Sequence, residues 1–382
     1  MSEIAAPMRG TPVVPSMAVE YAYLPAQFAD PESILEEIRA LVATGDFTLG
    51  HVLGEFERSF AKFVGAAHAI GVNSGTDALK LSLLAAGVGK GDEVITAANT
   101  FVATVSAIHD VGARPVFVDV DSSFCLDVDR VAHAINERTK AIIPVHLTGN
   151  VADMDRLLPI AARSNALIIE DACQAVGSRR NGRNAGTWGL TGAYSLHPLK
   201  FLNIWGDGGV IVTDDAAIDY KLRLLRNHGL ADRDTVVMLG CNSRLDSLQA
   251  IVAKSTLRDA ASIIERRQAN AAVYNSGLAG MRDVCPPVCA PAVSHTYVTY
   301  QILVEQRDDL LAYCKARGIE AKIHYPIPVY RQRGLQQFGY KQGDFPVTDR
   351  QASSTLSLPV HQYLTRSQLD HVVATVREFF GE

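Results

Sequence analysis

The sequence predicts an α/β protein: a mostly parallel sheet sandwiched by helices, followed by a smaller C-terminal α+β domain. Three features carry that expectation. Short β-branched runs alternate with helix-period segments from about residue 55 to residue 215, and strand, helix, strand in that order implies right-handed crossovers onto parallel neighbours. Runs such as Ala141-Ile142-Ile143-Pro144-Val145 show no polar alternation, which suits strands buried on both faces. Beyond Thr213 the pattern changes to long amphipathic helices.

The expected strands are His68 to Val72, Glu93 to Thr96, Pro115 to Val120, Ala141 to Val145, Leu167 to Glu170 and Val210 to Thr213, and Gly192-Ala193-Tyr194 is also strand-like. Helices fall between most of them, at Asp77 to Ala86, Thr100 to Val111, Val128 to Ile135 and Asp153 to Ser164. Longer ones follow at Asp215 to Arg226 and Asp246 to Gln268. Three prolines and little periodicity mark Cys285 to Ser294 as a link. The terminal domain then carries a strand at Tyr297 to Val304, a helix at Arg307 to Arg317 and a closing helix at Thr365 to Phe380. The division that results is a flexible lead-in over 1–20, a large domain over 21–255 and a small domain over 256–382.

Bulk composition narrows the function. The chain has 382 residues, 48% apolar and 20% charged, with a net charge of -5. That balance suits a globular enzyme and argues against a nucleic-acid binder with a basic face. No run of 18 apolar residues suggests a membrane span. Six scattered cysteines show no zinc-knuckle spacing, so no metal is expected, and they fit a reducing cytoplasm.

Four local patterns point to chemistry. Lys200 ends Ser195-Leu196-His197-Pro198-Leu199-Lys200, a largely apolar run stiffened by proline. Desolvation there lowers an amine's pKa and exposes a nucleophile for carbonyl carbon; the competing reading is an exposed loop lysine. Glu170-Asp171-Ala172-Cys173-Gln174 follows an apolar strand, and a carboxylate at such a strand end faces the ligand crevice of an open sheet. Asp171 there either holds a pyridine nitrogen protonated or caps the next helix. Asn73-Ser74-Gly75-Thr76-Asp77 joins a strand to a helix and is either a phosphate cup or an ordinary N-cap. Phe101 starts another helix and stacks on a flat ring or belongs to the core.

Taken in order, these patterns resemble the DegT/DnrJ/StrS family of sugar aminotransferases, within fold type I of the pyridoxal-phosphate enzymes. The resemblance runs from about Gly45 to the C-terminus. It takes in Gly45-Asp46-Phe47-Thr48-Leu49-Gly50, Ser74-Gly75-Thr76-Asp77-Ala78-Leu79, Asn99-Thr100-Phe101, Pro144-Val145-His146-Leu147 and Glu170-Asp171-Ala172-Cys173-Gln174. Further on come Gly206-Asp207-Gly208-Gly209, Arg226-Asn227-His228-Gly229, Asn242-Ser243-Arg244-Leu245-Asp246 and Ser357-Leu358-Pro359.

The resemblance implies a mostly parallel seven-stranded sheet and bound pyridoxal 5'-phosphate. It implies Lys200 as the Schiff-base lysine, Asp171 at the pyridine nitrogen and Gln174 at the ring hydroxyl. Gly75, Thr76 and Ser195 are implied at the phosphate, with Phe101 on the ring. Asn242 is implied at the phosphate of a neighbouring subunit's cofactor, so a homodimer is expected, with Arg244 beside it. His324, Tyr325 and Tyr330 match a segment that approaches the sugar. The implied partners are an amino donor, glutamate, and a keto-sugar carrying a phosphate or nucleotide. The chain departs from many relatives at Thr148 and from some at Ser243, where those relatives have an aromatic. The run from His197 to Gly209 looks like two branches, one acting on 3-oxo-glucose 6-phosphate and one on an eight-carbon keto-sugar acid. Three other readings remain in view: a sugar dehydratase of the same fold, where histidine replaces the lysine; a dehydrogenase, for which Gly-x-Gly-x-x-Gly is missing; and a non-catalytic cofactor-binding regulator.

Overall fold

A computed structural model describes residues 17–382. The apolar runs form β1 (His68–Val72), β2 (Glu93–Ala97), β3 (Arg114–Val118), β4 (Thr139–Ile143), β5 (Leu167–Asp171), β6 (Thr191–Ser195) and β7 (Gly209–Thr213). They make one seven-stranded sheet in the order β1-β7-β6-β5-β4-β2-β3. Only β7 runs antiparallel to its neighbours, β1 and β6, and the remaining pairs are parallel. Alternate residues of one strand serve opposite cores. Ile95, Ile142, Val210 and Val212 pack on one side, and Val94, Ala141, Ile143 and Ile211 pack on the other. Each such valine or isoleucine removed from water stabilises the fold by roughly 1.5–3 kcal/mol, which is why these strands carry no polar alternation.

Helices cover both faces: α1 (Glu32–Thr44), α2 (His51–Val64), α3 (Gly75–Ala85), α4 (Val102–Asp110), α5 (Val128–Ala134), α6 (Met154–Arg163), α7 (Ala216–Leu225) and α8 (Ser247–Gly277). Their ends follow local chemistry. The Ser74 hydroxyl accepts from the Asp77 amide at 3.0 Å to start α3, and Asp215 accepts from the Ala217 amide at 2.8 Å to start α7. Gly45 and Gly65 end α1 and α2 with φ of 73° and 77°, a region that costs glycine little.

The small domain contains α9 (Arg307–Ala316), α10 (Pro346–Ser354), α11 (Arg366–Phe379) and an antiparallel pair, β8 (Tyr300–Leu303) with β9 (Thr355–Leu358). Helix α8 joins the two domains. Ala250, Ile251, Leu257 and Ile263 pack in the large-domain core, whereas Ala271 and Tyr274 belong to the small-domain core. The boundary expected after residue 255 therefore falls inside a helix, and that helix runs past Gln268 to Gly277. Alanine-rich sequence and new tertiary contacts extend it. The lead-in also ends earlier than residue 20. Val19 is buried, and its amide donates to the Gly318 carbonyl at 2.8 Å. Residues 1–16 of that lead-in lie outside the described residues. Strand β8 starts at Tyr300 and not at Tyr297, because Tyr297 has φ +50° and stacks on His295 at 4.0 Å.

Candidate active site

The parallel strands bring their carboxyl ends to one edge of the sheet, the usual ligand crevice of such folds. Asp171 closes β5 there and is buried. Its Oδ2 accepts from the Thr104 hydroxyl at 2.7 Å and its Oδ1 from the Cys173 amide at 3.2 Å. The preceding residue, Glu170, points to the opposite face of the strand and is fully buried with His146. Glu170 accepts from the amides of Gly186, Trp188 and Gly189 at 2.7, 2.5 and 2.7 Å. His146 Nδ1 accepts from the Ala152 amide at 3.1 Å, which leaves Nε2–H to donate to Glu170 at 2.8 Å. These bonds fix the end of β5 from beneath, so Asp171 sits on a rigid support.

Next to it, β6 ends at Ser195 and faces the turn into α3. A Cβ on Gly75 would lie 2.8 Å from Ser195 Cβ and 3.0 Å from Cys173 Sγ. Only glycine lets the helix start approach the strand end this closely. Gly209 plays the same part from β7, since a Cβ there would meet the Ser74 carbonyl at 2.3 Å. With the Asp77 amide taken by Ser74, the first-turn amides of Gly75 and Thr76 have no partner within the helix. They suit an anion.

Lys200 lies in the loop after β6 and is half-buried. Burial lowers its pKa below the usual lysine range, and the thiol of Cys173 and the carboxylate of Asp171 oppose that shift. The loop closes through the Lys200 amide donating to the His197 carbonyl at 2.8 Å. The Lys200 carbonyl accepts from Asn203 Nδ2 at 2.8 Å and from the Tyr23 hydroxyl at 3.0 Å.

Across the crevice, Gln174 Oε1 accepts from the Thr148 amide at 2.9 Å, and its Nε2 donates to the Tyr325 hydroxyl at 3.4 Å. Thr148 stands in the left-handed region with φ +64°. Its hydroxyl meets buried His295 Nε2 at 3.1 Å. Burial pushes His295 down to about 3. Phe101 is half-exposed at the start of α4, with its ring 5.7 Å from that of Tyr325. His324 meets the Ser357 hydroxyl at 2.9 Å. Burial, then the charges of Lys200 and Lys322, push it down to about 4, and burial pushes Tyr325 up to about 12.

Of the residues expected from sequence, the structure gathers Gly75, Thr76, Phe101, Asp171, Gln174, Ser195, Lys200, His324 and Tyr325 at this edge. Tyr330 is a correction. It is buried, its hydroxyl donates to Asp349 at 2.6 Å, and its ring packs on Phe345 at 4.8 Å. The hydrophobic cluster of Phe117, Val329 and Phe345 draws it inward, leaving no hydroxyl for a substrate. Asn242 is exposed, and Arg244 donates to Asn227 Oδ1 at 2.8 Å; within one protomer neither is drawn to Lys200. Thr104, His146, Glu170, Asn203 and Tyr23 were not expected from the sequence. His146 and Glu170 lie inside recognised motifs, but their pairing is a tertiary contact with no sequence signal. Among the described residues no group of three His, Cys, Asp or Glu side chains is placed to hold a metal.

A doubly covered, mostly parallel sheet with a desolvated lysine, a strand-end carboxylate and an anion-ready helix start at one edge is the architecture of a pyridoxal-phosphate aminotransferase. The model of the DegT/DnrJ/EryC1/StrS aminotransferase family matches residues 29–377, and the chain belongs to that family. It is 40% identical over 361 residues to the dTDP-3-amino-3,4,6-trideoxy-alpha-D-glucose transaminase of Streptomyces venezuelae, covering 92% of this chain and 95% of the relative. The crystal structure of S. venezuelae DesV in complex with a ketimine intermediate superposes with TM-score 0.93 at 38% identity, covering 96% of this chain and 99% of that one. NtdA from Bacillus subtilis, solved with bound cofactor PMP, superposes with TM-score 0.89 at 29% identity, covering 97% and 87%. Pyridoxal phosphate is the cofactor these likenesses indicate, and the residues here fit it: the close approach at Gly75 leaves helix amides for a phosphate, and Lys200 and Asp171 share the same edge.

Proposed function

We propose that the protein moves an amino group from an amino acid, glutamate, to a keto-sugar that carries a phosphate or a nucleotide, in amino-sugar biosynthesis. The observation that carries this is the half-buried Lys200 amine, its pKa lowered by burial, beside the carboxylate of Asp171. When bound, pyridoxal phosphate supplies an aldehyde for exchange between amines and a protonated ring that withdraws electrons. Lys200 is the residue that would hold the cofactor covalently. With its pKa lowered by burial, the Lys200 Nζ is the group that would accept and return a proton at this edge of the sheet. The Asp171 carboxylate, steadied by Thr104 and the Cys173 amide, keeps the pyridine nitrogen protonated. Gly75, Thr76 and Ser195 would hold the phosphate, with Phe101 to stack on the ring and Gln174 to meet its hydroxyl. His324, neutral near pH 7, and Tyr325 line the acceptor side. A relative that aminates a dTDP-sugar supports the nucleotide-linked acceptor.

The protein works as a homodimer in which Asn242, with Arg244 beside it, reaches the partner's phosphate. Supporting this, Asn242 is exposed beside a loop whose Val236, Val237 and Leu239 are 58%, 53% and 92% exposed, an apolar surface that suits burial. Six free thiols fit a cytoplasmic setting. The test is spectral. Glutamate alone should convert the protein's visible cofactor band to the aminated form, and a panel of keto-sugar phosphates and nucleotide keto-sugars should show which acceptor restores it. Failure of glutamate and other amino acids to change the band would leave only a cofactor-binding protein.

A further inference from the structure

The N-terminal segment grips both domains. Val19 forms a bridge with Ile319, the Tyr21 amide donates to Glu320 Oε2 at 2.9 Å, and the Glu20 carbonyl meets His361 Nε2 at 3.0 Å. All three contacts are with the small domain. Two residues later Tyr23, itself buried, reaches the large domain and donates its hydroxyl to the Lys200 carbonyl at 3.0 Å. Its ring is held on several sides. Arg267 lies 5.2 Å above it, the His361 ring is 5.4 Å away and the Tyr363 ring 6.2 Å away. Arg267 is in turn fixed by the Tyr297 carbonyl at 3.1 Å and by Gln362 Oε1 at 3.2 Å. Asn203 completes the arrangement. Its single amide nitrogen serves the carbonyls of Lys200 and Pro198 and Oε1 of Gln27, at 2.8, 3.1 and 2.9 Å.

We infer that Tyr23 is a positioning residue for Lys200: its hydroxyl, with the Asn203 amide, clamps the lysine's carbonyl and so sets how far the ε-amine reaches into the crevice. This rests on the assignment of Lys200 as the cofactor lysine. A flexible four-carbon side chain delivers its amine reproducibly only if its backbone is pinned, and a small displacement of a reacting group is costly in rate. Because the same segment is bonded to the small domain, the clamp also ties the position of that domain to the lysine. The groups that face the amine are Asp171 and Cys173 from the end of β5 and His324 from the small domain. Tyr23 itself faces Arg267, His361 and Tyr363.

The test compares wild type, Tyr23→Phe, Asn203→Ala and Lys200→Ala, all loaded with pyridoxal phosphate. Tyr23→Phe keeps the ring and its packing and removes only the hydrogen bond. Its visible absorbance band should titrate with a midpoint displaced by about half a pH unit or more, the scale on which an altered amine environment registers. Asn203→Ala should move the midpoint in the same direction. Melting temperature should change little in Tyr23→Phe, by about 2–4 °C at most. A titration that overlays wild type in both variants, whatever their melting temperatures, would overturn the inference. Lys200→Ala separates this from the assignment beneath it. If borohydride still fixes the cofactor to that variant, the lysine assignment itself fails; if it does not, while Tyr23→Phe titrates as wild type, only the clamp fails.

Discussion

The floor and the roof of the crevice are built differently. The floor is regular structure: Asp171 ends a strand, Gly75 starts a helix, and Ser195 ends the neighbouring strand. Beneath it, the fully buried Glu170–His146 pair takes four backbone amides. The roof is loop. Lys200 sits after Pro198, and His324 and Tyr325 come from the small domain on another proline-flanked loop. A group that holds charge in one place gains from a preorganised floor, whereas a group that must leave the cofactor and return needs a tether with some freedom. The floor is thus fixed by secondary structure, whereas in the roof the Lys200 backbone is pinned by Tyr23 and Asn203 and the freedom is left to the lysine side chain.

Experiments can break that division. Lys200→Ala should remove turnover altogether together with the borohydride-fixable cofactor, read by single-turnover spectroscopy and peptide mass spectrometry; measurable steady-state activity would show that the roof lysine is dispensable. Asp171→Asn keeps the shape of the floor and removes its charge. A loss of kcat of about 10²–10³-fold is expected, comparable to removing one preorganised electrostatic contact, with little change in melting temperature. Gly75→Ala forces the helix start away from Ser195 and Cys173. It should weaken cofactor retention in equilibrium dialysis and cost about 1–3 kcal/mol of stability by urea titration, and an unchanged affinity would show that the close approach is not needed.

Thr104→Val tests the support of Asp171 and also removes the hydroxyl's contact with Thr100. Removing one hydrogen bond to a carboxylate costs about 1.5–3 kcal/mol, so a kcat reduction of roughly 10- to 150-fold, with unaltered KM for the donor, is expected. The smallest effect is on acid stability. His295 and His324 have folded pKa values of about 3 and about 4, depressed by burial. Between roughly pH 6.5 and those values the unfolded chain binds protons that the folded one does not, so stability falls as pH falls through that window. The melting temperature measured from pH 7 to pH 4.5 should drop less steeply in His295→Gln than in wild type. Parallel curves would mean that other groups control the acid limb.

Much of the floor was legible from residues alone, because a strand followed by a carboxylate and a glycine-bearing turn before a helix are local patterns. The roof was legible only in part. Lys200, His324 and Tyr325 stood out through the family resemblance, and Tyr330 was misplaced because sequence spacing does not say which way a loop aromatic turns. Aromatic packing with Phe117 and Phe345 decided that. A flexible lead-in through residue 20 is the expectation from sequence, yet Val19 finds its partner some three hundred residues away.

The sequence by itself determined the sheet, its two dry faces and the order of the chemical groups, since periodicity, caps and glycine requirements are properties of neighbours along the chain. Only the tertiary structure decided that Thr104 holds Asp171, that Glu170 is paired with His146, and that a tyrosine near the N-terminus holds the carbonyl of Lys200. Those contacts join residues far apart in sequence, and burial makes each of them matter: a polar group removed from water needs a partner, wherever in the chain that partner lies.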